Sequence, residues 1–186
     1  MGFLVGFLDA LLSAFQNTKF RKLPETSPVV LNWLRWSGGT FVIALLLTVF
    51  SQWKIPHEGL FWLYVAASVG LESALGFLYV RAFQLSSQSL VGPLFALSSV
   101  VLILPGIFLL GQTPTLWGVV GILIVVGGSF LLGWDIRDPG MRGAILRIFK
   151  ERGSRHMLVA VAVAGGTVPL AVLSFQFTTP LFFALC

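Results

Sequence analysis

The stretch LFWLYVAASVGLESALGFLYVRAF, from Leu60 to Phe83, decides the fold of this chain. An α-helix rises about 1.5 Å per residue, so roughly 20 apolar residues cross a hydrocarbon core of about 30 Å. This run is long enough to do so, and its apolar residues are too continuous for the alternating strands of an outer-membrane barrel. We therefore predict a membrane-spanning helix that carries one carboxylate, Glu72, near its middle.

The rest of the chain extends this pattern. Apolar residues make up 56% of the sequence and charged residues 10%, with a mean hydropathy of +0.93, whereas soluble domains carry about 25% charged residues. The N-terminal run lacks the basic segment of a secretory signal, so we interpret it as a first helix. The sequence predicts an all-α, polytopic transmembrane helix bundle with about six transmembrane helices. The apolar runs are the N-terminal one, 29–50, 60–83, 90–110, 116–134 and 157–177.

One long polar segment, DIRDPGMRGAILRIFKERGSRH at 135–156, interrupts the apolar runs. Such a shift in composition is typical of a boundary between structural units. Within the segment, Met141, Ile145, Ile148 and Phe149 recur at helical spacing, which is typical of a helix lying in a membrane interface. A solvated basic linker is an equally good interpretation.

Two short motifs indicate an internal repeat. The triplets Thr-Ser-Pro at 26–28 and Thr-Thr-Pro at 178–180 each follow an apolar run and precede further apolar residues. We expect a five-helix repeat over 1–134, the linker over 135–156, and the start of a truncated second repeat over 157–186. Repeats of this kind build carriers whose substrate site lies at the repeat interface.

Several stretches resemble one transporter family. The segments ALSSV at 96–100 and LGQTP at 110–114, followed by LWGVVGILIVVG at 116–127, resemble the fourth and fifth helices of EamA-type proteins of the drug/metabolite transporter superfamily. The stretch SPVVLNWLRW at 27–36 resembles the second helix of that family, and FLYVRAF at 77–83 resembles the end of the third. The resemblance extends over nearly the whole chain.

The resemblance implies a carrier built from two five-helix repeats, of which this chain supplies the first and the beginning of the second. Two positions depart from the family pattern, because Ser99 stands where a proline is usual and Gln112 where a glutamate is usual. Pro93 and Pro105 can kink the fourth helix instead, since proline removes a backbone hydrogen bond in a helix interior.

Glu72 is the first candidate for a functional residue. Burying a charge at the centre of a membrane costs at least about 2.5 kcal/mol, so the carboxylate should face a cavity or be protonated. Tyr64, Ser68 and Tyr79 share its helix face and would form a polar stripe for a substrate or a proton. The alternative is that Glu72 only pairs with a neighbour such as Arg35 and holds two helices together.

Arg35 and Asp9 are further candidates for the substrate or proton pathway, and each has a plainer interpretation. Arg35 lies several residues inside the second run, from where a long side chain can also reach the interface. Asp9 lies close enough to the chain terminus to reach interfacial water. For the glycines we expect a role in close helix packing, which drives helix association in lipid. They are Gly118, Gly121, Gly127 and Gly128, and the pair at 165–166.

Other chemistries find little support in the sequence. We find no paired carboxylates, no nucleophile beside a base and no phosphate-binding glycine loop. The single cysteine, Cys186, and the isolated His57 and His156 lack metal-ligand spacing, so we predict no metal and no cofactor. The net charge of +5 does not indicate nucleic-acid binding, because the basic residues lie between apolar runs, where they set topology.

The orientation in the membrane stays open. The odd-numbered loops contain Lys19, Arg21, Lys22, Arg81 and the basic linker, which leaves Lys54 nearly alone on the other side. The positive-inside rule therefore places the N-terminus outside. The resemblance implies a cytoplasmic N-terminus instead.

The function that these patterns favour is transport of a small metabolite or drug-like solute by alternating access, in the inner membrane of the cell. The alternatives are a non-transporting remnant, an assembly subunit that supplies helices to a complex, and an intramembrane enzyme. The expected partners are the lipid bilayer, a small-molecule substrate, and either a second copy of the chain or a second chain that completes the pathway.

Overall fold

The computed structural model describes residues 2–50, 53–111, 113–133 and 150–186. All the regular secondary structure in these ranges is α-helical, which confirms the predicted all-α bundle. The helices are α1 (Gly2–Lys22), α2 (Pro28–Val49), α3 (Gly59–Leu85), α4 (Gln88–Ala96), α5 (Ser98–Val101), α6 (Ile103–Leu110), α7 (Leu116–Gly133), α8 (Arg152–Ser174) and α9 (Pro180–Leu185).

Four of the described segments are long and apolar enough to cross a membrane. They are Pro28–Val49, Gly59–Leu85, Gln88–Phe108 and Arg152–Ser174, and the shorter Leu116–Gly128 is also apolar. Helix α1 was predicted as a span but is not among the four, since its second half, FQNTKFRK at 15–22, is polar. The predicted interfacial helix falls mostly outside the described residues.

The predicted fourth helix consists of the three pieces α4, α5 and α6. The backbone deviates from α-helical geometry at Leu97 and at Leu102, where ψ is −19° in both cases. Pro105 explains the second deviation, because it lacks the amide that would bond the carbonyl of Val101. Pro93 lies inside α4, so the expected prolines do accompany an irregular helix.

The two motifs that indicated a repeat both begin helices. Helix α2 starts with Pro28 directly after Ser27, and α9 starts with Pro180 directly after Thr179. Proline fits the first position of a helix because its missing amide has no intrahelical partner there. The hydroxyl of Thr179 also accepts a hydrogen bond from the amide of Phe182 at 3.3 Å, which caps α9.

Helices α3 and α8 form the central pair of the bundle. Their backbones approach closely where α8 carries glycine: a side chain at Gly153 would meet Ser86 and the backbone carbonyl of Ala82, and one at Gly166 would meet Leu71. Helices α1 and α2 pack on the outer side of α3, while α4, α5 and α6 pack on α8. The main core lies between these elements and includes Val80, Phe83, Leu94, Met157 and Ala160.

One end of the bundle, here called the cationic end, collects basic residues from three helices. Hydrogen bonds join the α1–α2 connection to α3, and α3 to the start of α8, so Lys22, Arg81 and Arg152 lie at the same end. The opposite end, here called the aromatic end, is built from stacked rings. Phe182 of α9 packs against Trp53, with ring centroids 6.2 Å apart, and against Phe61, with centroids 6.4 Å apart.

Large apolar side chains cover the outside of the bundle, as expected where lipid is the solvent. Trp117 is 82% exposed, Phe108 81% and Phe41 74%. Helix α7 packs mainly on α4. In the described part of the chain, a side chain built at Gly121, Gly127 or Gly128 would meet nothing within 4 Å. One built at Gly118 would meet only Thr115 of its own segment. The close approaches occur instead on α3 and α8, where the pair Gly165 and Gly166 does serve helix packing.

We expect Gly153→Ala to destabilise the protein by about 1–3 kcal/mol, since the added methyl group would press on the fixed carbonyl of Ala82. Gly70→Ala on α3 is the matched control, because a methyl group there meets nothing within 4 Å and alanine favours a helix. Thermal unfolding in detergent measures both variants. Equal midpoints would show that the two helices are not in close contact at Gly153.

Candidate functional site

Glu72 lies halfway along α3, at the depth where a bilayer is most apolar. Its side chain is only partly buried by protein and interacts with the hydroxyl of Thr167 on α8. Arg35 on α2 attracts the carboxylate electrostatically, but the two do not form a direct ion pair. Glu72 is thus in contact with the central helix pair and faces α2.

Arg35 is held between two aromatic rings. Its guanidinium carbon lies 5.3 Å from the ring centroid of Tyr79 and 5.6 Å from that of Trp36. Both distances are within the range of a cation–π attraction, which is worth about 0.5–2 kcal/mol depending on desolvation. Arg35 therefore combines these ring contacts with an electrostatic attraction to Glu72, and the helix-joining role of the Arg35 and Glu72 pair stays an alternative.

Tyr79 connects four helices. Its hydroxyl accepts a hydrogen bond from the side-chain amide of Asn17 on α1 at 2.9 Å, and both residues are more than nine-tenths buried. Its ring packs against Phe83 and, from α4, Phe95, with centroids 4.8 and 5.0 Å away. With Arg35 on α2, the ring is the point where α1, α2, α3 and α4 meet.

Two further polar groups flank this region without a hydrogen-bonding partner in the described part of the chain. They are Oδ1 of Asn32 on α2 and Oγ of Ser68 on α3, both buried. Asn32 lies directly against Gly76, one turn beyond Glu72, and only glycine leaves room for it there. An unpaired buried acceptor costs about 1–3 kcal/mol, so these oxygens are available to a ligand, a water molecule or a proton.

The predicted polar stripe of α3 is too long to be one small site. Tyr64 and Tyr79 are fifteen positions apart, which corresponds to roughly 22 Å along a helix. Tyr64 packs near the aromatic end against Phe177, with ring centroids 6.3 Å apart. Glu72 and Ser68 lie in the middle, and Tyr79 lies toward the cationic end. The four residues are therefore spread along one face of α3 rather than gathered at one point.

Polar contacts close the cationic end over this stripe. The side-chain amide of Gln84 donates to the carbonyls of Leu23 and Thr26, each at 2.9 Å, and so fastens the α1–α2 connection to α3. The hydroxyl of Ser86 donates to Oε2 of Glu151 at 2.7 Å, which fastens α3 to the start of α8. The polar segment 84–89 thus contributes Gln84 and Ser86 to helix contacts.

At the aromatic end, one hydrogen bond and several ring contacts connect the elements. The hydroxyl of Thr178 donates to the carbonyl of Lys54 at 2.7 Å, and the ring contacts of Phe182 complete the closure. Both ends of the bundle are therefore held by contacts between side chains of different elements.

The remaining predicted positions add little to this site. The side chain of Asp9 lies outside the described residues, although its backbone is part of α1. A search of the described residues finds no cluster of three His, Cys, Asp or Glu side chains that could hold a metal. A shallow groove of about 260 Å³ beside α6 is lined without a charged group, by Ser99, Leu102, Ile103, Gly106, Thr113 and Pro114.

A polar, partly charged stripe inside an apolar helix bundle is typical of a membrane carrier. A family model described as the EamA-like transporter family matches residues 1–134. The chain belongs to this family.

A curated relative is also described as a transporter. It is a protein of Sinorhizobium sp. described as an uncharacterized transporter in the cobO 3′ region, and it is 35% identical over 94 residues. The match covers 49% of this chain and 66% of that relative, just under two thirds of its length. No solved structure matches the chain. We therefore describe the chain as a multi-pass membrane protein of the EamA-like transporter family.

Three residues of this EamA-like site were missed in the sequence. Asn17 stands in the polar end of α1, Asn32 beside Trp33 in α2, and Thr167 beside two glycines in α8. Each is an uncharged polar residue within or beside an apolar run, and that signal could have singled them out. Which of them faces α3 depends on how α1, α2 and α8 are rotated, which the residue spacing alone does not fix.

We expect the Asn17 to Tyr79 hydrogen bond to contribute about 0.5–1.5 kcal/mol to stability, the usual range for such bonds in water and in membranes. A double-mutant cycle of Asn17→Ala, Tyr79→Phe and the double variant, followed by thermal unfolding in detergent, measures this coupling. Strictly additive effects would show that α1 is not joined to α3 at this point.

Proposed function

We propose that this EamA-like protein carries a small metabolite or drug-like solute across the inner membrane by alternating access, with Glu72 at the centre of the pathway. The observation that carries the proposal is the position of Glu72, an ionisable side chain halfway along a central helix and only partly covered by protein. Intramembrane carboxylates are costly, and they usually line substrate or ion pathways.

The contacts around Glu72 support a step in which the carboxylate exchanges partners. The hydroxyl of Thr167 has one hydrogen, and it also lies 3.1 Å from the carbonyl of Ala164 as a donor. The hydroxyl can therefore donate this hydrogen either to the carboxylate of Glu72 or to the backbone of α8. When a solute or a proton binds Glu72, the hydroxyl of Thr167 would donate to the carbonyl of Ala164 in its own helix instead. The contact between α3 and α8 would then be weaker.

The closing contacts support two-sided access. One end is held by a few polar hydrogen bonds and the other by stacked rings, so each can open without unfolding a helix. Small sets of contacts at element ends are the usual hinges and gates of such transitions.

We further propose that a second copy of the chain, or a second chain, completes the wall of the pathway. In the described part of the chain, the groups that interact with Glu72 come from α8 (Thr167) and from α2 (Arg35). A repeat-built carrier surrounds its site with helices from both repeats. The lipid bilayer covers the remaining apolar exterior.

In proteoliposomes that contain the wild-type protein, we expect exchange uptake of solutes from a pooled metabolite set. Glu72→Gln should lower this uptake at least tenfold, because contacts to a charged group contribute roughly 1.5–3 kcal/mol. Glu58→Gln is the matched control, since Glu58 is exposed and precedes α3. The mass of the active particle, from light scattering, should exceed that of one chain.

Three results would contradict the proposal. Wild-type protein that folds and inserts but moves no solute would favour an assembly subunit. Unchanged uptake by the Glu72→Gln variant would show that Glu72 is not part of the pathway. Activity of a strictly monomeric particle would show that transport needs no second copy of the chain and no second chain.

A further inference from the structure

The side chain of Arg35 has an unusual environment. It is half-buried in the membrane-spanning α2, and its guanidinium group is flanked by the rings of Trp36 and Tyr79. The guanidinium carries five donors, yet no hydrogen bond and no ion pair forms on Arg35 within the described part of the chain. The rings position the charge but offer no acceptor for its hydrogens.

The nearby acidic group does not satisfy these donors. Glu72 attracts Arg35 from a distance without a direct ion pair, and it also interacts with Thr167 on α8. A cation held away from water with unpaired donors is costly, and an anionic oxygen group within reach relieves that cost. The donors of Arg35 therefore lack an acceptor among the described residues.

The planar guanidinium selects the chemistry of that acceptor. Its parallel N–H groups match the two oxygens of a carboxylate, which they bind by two charge-assisted hydrogen bonds. The apolar surroundings favour a solute whose remainder is apolar or aromatic, because the Tyr79 ring is packed with Phe83 and Phe95. Glu72 would repel the same anion unless the carboxylate of Glu72 is protonated.

From these observations we infer that Arg35 binds the carboxylate of the transported solute, with the rings of Trp36 and Tyr79 as positioning groups. The inference rests on the proposed transport function and adds a substrate class, an organic anion that carries a carboxylate. A lipid headgroup phosphate could offer the same oxygen chemistry to an arginine side chain that reaches the interface, so the experiment separates a lipid source from a solute source.

The first measurement is thermal unfolding in detergent with matched probes: benzoate, benzamide and benzylammonium. Benzoate should raise the midpoint of the wild-type protein by a few degrees, and the neutral and cationic probes should not. Arg35→Gln should abolish the shift, and Arg35→Lys should retain a small part of it, because a lysine offers charge without the planar pair of donors. Arg155→Gln is the control, since Arg155 is exposed at the start of α8 and its loss changes the net charge equally.

The second measurement is uptake into vesicles of phosphatidylcholine alone, with the pooled solutes sorted by charge. Transported solutes should carry a carboxylate, and Arg35→Gln should lower their uptake at least tenfold while Arg155→Gln leaves it unchanged. Neutral or cationic solutes that are moved equally by the wild-type protein and Arg35→Gln would overturn the inference and leave the transport function standing.

The remaining outcomes distinguish the carboxylate site from the transport function and from lipid binding. A benzoate shift that depends on Arg35, in a protein that moves no solute, would support the carboxylate site and contradict the transport function. An unfolding midpoint that responds to added phosphatidylglycerol through Arg35, but to none of the three probes, would assign Arg35 to lipid and overturn the inference.

Discussion

The structure depends on one constraint, a carboxylate at the centre of an apolar helix. Glu72 cannot face lipid cheaply, so α3 must keep this face toward other helices or toward water. In the described part of the chain, Thr167 on α8 and Arg35 on α2 interact with Glu72. The outer faces of the bundle, by contrast, carry large exposed apolar side chains that any lipid chain can solvate.

The packing around α3 follows from the need for close approach without a hydrophobic driving force. In lipid, helices associate through packing and polar contacts, and small residues permit both. Gly153 and Gly166 bring α8 against α3, while Gly76 makes room for Asn32 of α2. The polar hydrogen bonds of the cationic end and the ring contacts of the aromatic end then close the bundle over its polar middle.

The sequence was sufficient for the helix class, for most of the spans and for the family, because runs as long and apolar as 60–83 admit few other structures. It also singled out Glu72, Tyr79 and Arg35. It could not show that Arg35 lies between two rings rather than on Glu72, since that depends on the rotation of α2. The helix packing that it placed at Gly118 and Gly121 of α7 stays a prediction, while the tight contacts at Gly153 and Gly166 of α8 could not be predicted, because a glycine becomes a contact only where a neighbouring helix arrives. The division of the chain into repeats and linker stays a prediction.

The most direct test is whether water reaches Glu72 in the membrane. In a background of Cys186→Ser, Glu72→Cys and Val69→Cys place one thiol each at nearly the same depth of α3. Val69 is 47% exposed on the apolar outside of the bundle. The account predicts that a membrane-impermeant methanethiosulfonate reagent modifies the cysteine at position 72 and leaves that at position 69 unmodified. Protection of both positions would contradict it, because Glu72 would then serve only to join helices.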